Sequence, residues 1–134
     1  MDSQKFNQVL EAQLERSTSV LLKKAEEYAT SNRLHNFDVA AKLQGVSQKE
    51  ALAGMMAKHT VSIYDMCNTS ELFTEEQWNE KITDHINYLL LLRAVVQEDE
   101  LDIRTSSDVA LADLREKLTG DTYIGDNIVA PISN

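Results

Sequence analysis

Apolar residues recur along this chain at three- and four-residue spacing, the period at which side chains share one face of a helix. Phe6, Val9, Leu10, Leu14, Leu21, Ala25 and Tyr28 predict an amphipathic helix from about Lys5 to Ala29, with Asp2 or Ser3 as its N-cap. Its polar face carries Glu11, Glu15, Arg16 and Lys23, which reads as simple solvation. The pattern breaks at Thr30-Ser31-Asn32, where turn chemistry takes over. Arg33-Leu34-His35-Asn36-Phe37 reads as a polar loop with two apolar anchors, leading into a short helix at Asp38 to Leu43 that Gly45 ends.

Two capping boxes then open the main helices. Ser47 with Glu50 starts a helix running to about Cys67, and Thr74 with Gln77 starts another running to about Gln97. Glu75 and Glu76 sit at the positive end of that second helix's dipole. Its stripe of Trp78, Ile82, His85, Leu89, Arg93 and Val96, widened by Leu90, Leu91 and Leu92, makes it the most apolar helix of the chain. A helix apolar nearly all round packs against neighbours on several sides or against a second subunit, so a homo-oligomer is expected. Glu98 to Asp102 reads as an acidic exit, and Val109, Leu111, Leu114 and Leu118 predict a last helix over about Ser107 to Leu118, stopped by Gly120. These elements predict an all-α bundle of about four to five helices in a single domain over residues 1–120. The tail 121–134 is expected either to be disordered or to dock on a partner subunit.

Composition supports this picture. The chain has 134 residues, one proline and four glycines, so little interrupts long periodic segments. A formal charge of −9 weighs against a duplex nucleic-acid binder, which needs a basic footprint to displace counterions, but leaves room for a small nucleotide in a local cationic pocket. The single cysteine, Cys67, excludes an intrachain disulfide and fits a reducing compartment. No basic stretch followed by an apolar one opens the chain, and its most apolar run, Tyr88 to Leu92, is far short of the roughly 20 residues that span a bilayer. A cytoplasmic protein without a membrane partner is the expectation.

The candidate chemistry lies on the two main helices. Lys58, Ser62 and Asp65 line one stripe of the first, beside a core-side stripe of Met55, His59, Ile63 and Met66. Glu80, Asp84 and Asn87 or Tyr88 repeat the arrangement on the second. A carboxylate near a core is costly unless it is paired or binds a metal. Asp84 therefore either meets Lys58 or Arg33 in a structural ion pair, or joins Asp65 and Glu80 around Mg²⁺, with Asp65 and Asp84 as the catalytic acids. His35, His59 and His85 lack zinc-type spacing; His85 reads as a core residue, while His59 beside Lys58 and His35 beside Arg33 suit phosphate. No phosphate-binding glycine loop, Cys-x-x-Cys pair or nucleophile elbow occurs.

Lys24 to Tyr28 (KAEEY), Arg33 to Phe37 (RLHNF), Met56 to Met66 (MAKHTVSIYDM) and Glu80 to Leu92 (EKITDHINYLLLL) together resemble a phage family. It is the small all-α "nucleotide modification associated" domain of phage and prophage genomes, and the resemblance spans about residues 20–97. That family is similar in character to all-α nucleoside triphosphate pyrophosphohydrolases of the MazG and dimeric dUTPase type, which use Mg²⁺ held by acidic residues on two helices. The resemblance implies a nucleotide as ligand. The acidic pattern of those hydrolases is altered here, because Glu26-Glu27 is followed by Thr30 rather than a third acid and Glu80 to Asp84 is one residue too long.

Three functions follow as expectations. The first is a Mg²⁺-dependent pyrophosphohydrolase in which Lys58, Arg33 and His59 hold phosphates and Tyr28, Phe37 or Tyr88 stacks on the base. His35, Asn36, Ser62 and Asn87 complete its ligand set. The second is a non-catalytic nucleotide binder that sequesters a host defence signal or senses nucleotides, which the altered acidic spacing favours. The third is an inhibitor of a host protein acting by contact, in which the polar stripes are only a structural network.

Overall fold

The computed structural model describes residues 1–27 and 32–120, and every structural statement below concerns these residues. They form four helices: α1 (Ser3–Glu27), α2 (His35–Gln44), α3 (Gln48–Asn68) and α4 (Glu75–Gly120), with no strand among them. The fold is all-α, as the periodicity predicts. No helix among the described residues is long and apolar enough to cross a membrane. The tail 121–134 and the ring of Tyr28 lie outside the described residues.

The helix starts follow the local chemistry. Asp2 Oδ1 accepts the Lys5 backbone N–H at 2.8 Å and so caps α1. The Ser47–Glu50 box is closed in both directions at the start of α3, and hydrogen bonds at 2.8 and 3.2 Å join Thr74 and Gln77 ahead of α4. Gly45 ends α2 in the left-handed region at φ 68°, where a side chain would be strained.

Two boundaries differ from expectation. The stretch read as a loop at 35–37 is the first turn of α2, and its anchors Leu34 and Phe37 are buried. The acidic segment 98–102 does not end a helix; α4 runs through it for 46 residues. Neither glycine nor proline occurs between Glu75 and Thr119, and glutamate is a good helix former, so nothing local stops the propagation.

By internal packing the chain divides into two compact units, Met1–Gln97 and Glu98–Asn134. In the first, Leu34, Phe37, Leu52 and Val95 form the core, and Met55, Tyr88, Leu91 and Leu92 pack against it. Leu52 and Val95 are fully buried, each contributing about 1.5–3 kcal/mol relative to an exposed side chain. On α1 the apolar stripe is covered only in part. Phe6, Val9, Leu10 and Leu14 are exposed, while Ser17, on the same face further along, is the buried residue. Gln13 Nε2 donates to Ser17 Oγ at 3.1 Å and to Thr83 Oγ1 of α4 at 3.0 Å, so α1 docks through a polar contact. In the second unit, Leu101, Ile103, Val109, Leu111, Leu114 and Leu118 are exposed, and the helical turn 113–117 carries a Lys117–Asp113 pair at 2.8 Å.

Candidate functional site

A cavity of about 460 Å³ opens in the first unit, between the end of α1, the start of α2 and the middle of α4, with Met55 as the contribution of α3. That volume lies within the range of small-molecule sites. The walls bring together three kinds of side chain. Leu21, Phe37, Leu43 and Leu91 are apolar; Lys24, Arg33 and His35 are basic or can become so; Asp84 and Asn87 are polar groups on α4.

The α4 wall follows from helix geometry. Asp84, Asn87, Tyr88 and Leu91 stand at i, i+3, i+4 and i+7, so one face of the helix presents them together. Tyr88 is held edge-on to Phe37, with ring centroids 6.3 Å apart, and lies 4.7 Å from the His59 ring. These contacts fix the phenol ring on the cavity wall at little entropic expense.

Asn87 is the unusual member. It is only 5% exposed, yet neither Oδ1 nor Nδ2 has a hydrogen-bond partner. Buried amides are nearly always satisfied, and an unsatisfied one costs about 1–3 kcal/mol. Both atoms are closed to a water-sized probe, so a ligand reaches them only by drawing the amide toward the cavity.

Asp84 is held by charge rather than by hydrogen bonds. Lys24 Nζ lies 3.8 Å from Oδ1, and His59 Nδ1 lies 3.8 Å from Oδ2. These distances are too long for hydrogen bonds. Asp84 does have an ion-pair partner, but it is Lys24 rather than Lys58 or Arg33, while the His59 ring stands against its other oxygen. Burial holds the His59 imidazole below its ordinary 6.5; Asp84 opposes that shift, and Lys58, Lys81 and His85 reinforce it. His85 is half-buried and meets Thr60 Oγ1 at 3.2 Å, in keeping with a structural role.

Arg33 ties the cavity's mouth to α1 by donating from Nη2 to the Leu21 carbonyl at 2.8 Å. The remaining guanidinium N–H groups stay on the same wall. The first turn of α2 begins there, and no side chain caps it. The His35 and Phe37 N–H groups of that turn are bonded to the Asn32 and Leu34 carbonyls and Asp38 stands in it, so positive charge at this end comes from the Arg33 side chain.

The expected residues thus divide into two groups. Arg33, His35, Asn36, Phe37, Asp84, Asn87 and Tyr88 line the cavity. His59 stands behind it, against Asp84 and Tyr88. Lys58, Ser62, Asp65 and Glu80 do not line it, and Lys58, Asp65 and Glu80 are exposed. The polar stripe of α3 therefore turns away from the cavity, because Met55, His59, Ile63 and Met66 take the inward side of that helix as their spacing predicts. Asp65, Glu80 and Asp84 do not converge: among the described residues no three His, Cys, Asp or Glu side chains are grouped to hold a metal ion.

Lys24 is the functional candidate that the sequence reading passed over. Its signal was register: Gln13, Ser17, Leu21 and Lys24 repeat at four, four and three residues, the face on which α1 meets α4. An apolar count overlooks that face because three of those four residues are polar.

The chain matches no family model, no curated protein and no solved structure.

Proposed function

We propose that this protein binds a nucleotide in the cavity between α1, α2 and α4, and that binding rather than turnover is its activity. The observation that carries the reading is the Asn87 amide, buried on the cavity wall with both its polar atoms unpartnered. A ligand that draws the amide toward the cavity gives both atoms partners. Tyr88 and Phe37 supply an aromatic wall for a base, and Lys24, Arg33 and His35 supply donors for phosphates. About 460 Å³ suits one nucleotide rather than a polymer. The resemblance of four segments to the phage nucleotide-modification domain agrees with this ligand class, and with a MazG-like homo-oligomer in the cytoplasm of a phage-infected host.

A second reading, a Mg²⁺-dependent nucleoside triphosphate pyrophosphohydrolase, has one observation in its favour: Asp84 stands on the cavity wall with His59 beside it. Its metal would need other ligands, phosphate oxygens and water among them, since Mg²⁺ in such sites keeps several waters.

Calorimetry with a panel of nucleoside mono- and triphosphates, with and without Mg²⁺, tests the proposal. Saturable binding without pyrophosphate release supports it. Pyrophosphate release that needs Mg²⁺ moves the assignment to the hydrolase, and absence of binding by every nucleotide overturns both readings.

A further inference from the structure

We propose that the second unit is an interface between copies of this chain: residues 103–118 of α4 pair antiparallel with the same residues of a second copy. The two-fold axis passes between Ala110 and Leu111. This pairing is independent of the cavity in the first unit and of what that cavity binds.

The helical period defines the face. At roughly 100° per residue, Ile103, Ser107, Ala110, Leu111, Leu114 and Leu118 share an arc about 100° wide, and no charged residue between them falls on it. Ile103, Leu111, Leu114 and Leu118 are between 53% and 68% exposed. The stripe is about 23 Å long, a continuous surface rather than scattered apolar residues. Ser107 does not spoil it: its Oγ donates to the Ile103 carbonyl at 2.9 Å, so the hydroxyl can be covered without losing a bond. Leu101 and Val109 lie off the arc.

The helix itself needs such a surface covered. Thr105, Ser106, Ser107, Asp108 and Val109 form a run of weak helix formers in its middle. Helices of that composition draw their stability from packing an apolar face. Among the described residues the second unit consists of this one helix, so it contains no other element to pack against.

Two features select a second copy as the occupant. The first is spacing. Along the stripe the steps are four, three, one, three and four residues, the same in either direction. An antiparallel copy therefore sets Ile103 against Leu118, and sets Leu114 and Leu111 against the smaller Ser107 and Ala110, so that large side chains meet small ones. The second is charge. Glu98, Asp99, Glu100 and Asp102 crowd the start of the unit with no base among them. Parallel pairing would lay the two acidic ends side by side, whereas antiparallel pairing holds them apart by the length of the stripe. It also brings Asp108 level, to within about 3 Å along the axis, with Arg115 of the second copy on the same edge, and symmetry makes that pair twice.

Analytical ultracentrifugation of the full chain from about 1 to 100 µM tests the pairing, and a monomer–dimer equilibrium is expected. Leu111→Glu combined with Leu114→Glu is expected to leave monomer alone at every concentration. Both side chains are exposed in the protomer, so this variant folds; unfolding of the first unit followed by Trp78 fluorescence should match the native chain. Cross-linking reads the direction. On a Cys67→Ser background, chains carrying Ile103→Cys mixed with chains carrying Leu118→Cys are expected to join by a disulfide on oxidation, and chains carrying Ile103→Cys alone are not. A native chain that stays monomeric throughout, or a dimer that survives the double glutamate variant, overturns the interface. Cross-linking of Ile103→Cys chains to one another overturns the antiparallel arrangement.

Discussion

Asn87→Leu is expected to make the free protein more stable while abolishing its ligand binding. Leucine has the same branching as asparagine at Cγ, with two methyl groups in place of the amide oxygen and nitrogen. At a site 5% exposed, the native amide has lost its water and gained no partner, a penalty of about 1–3 kcal/mol. The substitution removes that penalty, and the neighbouring cavity of about 460 Å³ leaves room for the larger methyl groups. For a domain of this size each kcal/mol moves the melting temperature by roughly 4–8 °C, so an upshift of several degrees is expected. Urea unfolding of the ligand-free proteins should show a higher midpoint at an unchanged slope. Thermal unfolding with a bound nucleotide should raise the melting point of the native protein and leave that of the variant where it was. A variant no more stable than the native chain would refute the reasoning, because it would mean that the Asn87 amide is satisfied before any ligand arrives. Such a gain in stability at the expense of binding is what a residue kept for function should show.

Three further outcomes test the rest of the structure. Leu52→Ala removes a fully buried side chain from the core and should lower stability by about 2–5 kcal/mol in urea unfolding; a loss below 1 kcal/mol would contradict that packing. Gly45→Ala should destabilise by about 1–2 kcal/mol through backbone conformation alone, since φ is 68° and nothing lies within 4 Å of the added methyl group; no change would mean that α2 does not end there in the left-handed region. His59, whose folded value lies below its ordinary 6.5, takes up a proton more readily in the unfolded chain, so its contribution to stability is full above that value and falls as the pH drops from it toward the folded value. Urea titrations from about pH 8 to about pH 5 should therefore show a flatter dependence for His59→Gln than for the native protein, and identical slopes would rule out a depressed histidine.

What the chain determines locally, it announces. The helical period, the two capping boxes and the left-handed glycine predict the starts of α3 and α4 and the end of α2, because each depends on residues within one turn of the boundary. The inward stripe of α3, Met55, His59, Ile63 and Met66, is legible for the same reason. Composition is a poorer guide to a boundary: the acidic segment 98–102 resembles an exit, but charge alone does not stop a helix that has no breaker in it. Only the tertiary structure decided which polar residues face a common space. Asn87 and Tyr88 could be singled out from the pattern, yet that Asn87 is buried without a partner depends on how α1 and α2 close over α4. Lys58 and Asp65 looked equivalent to Asp84 in sequence and proved exposed, while Lys24, from a helix 60 residues earlier than Asp84, became its neighbour. Helical spacing assigns residues to a face; which face closes over a cavity depends on contacts between elements distant in the chain, which no local period records.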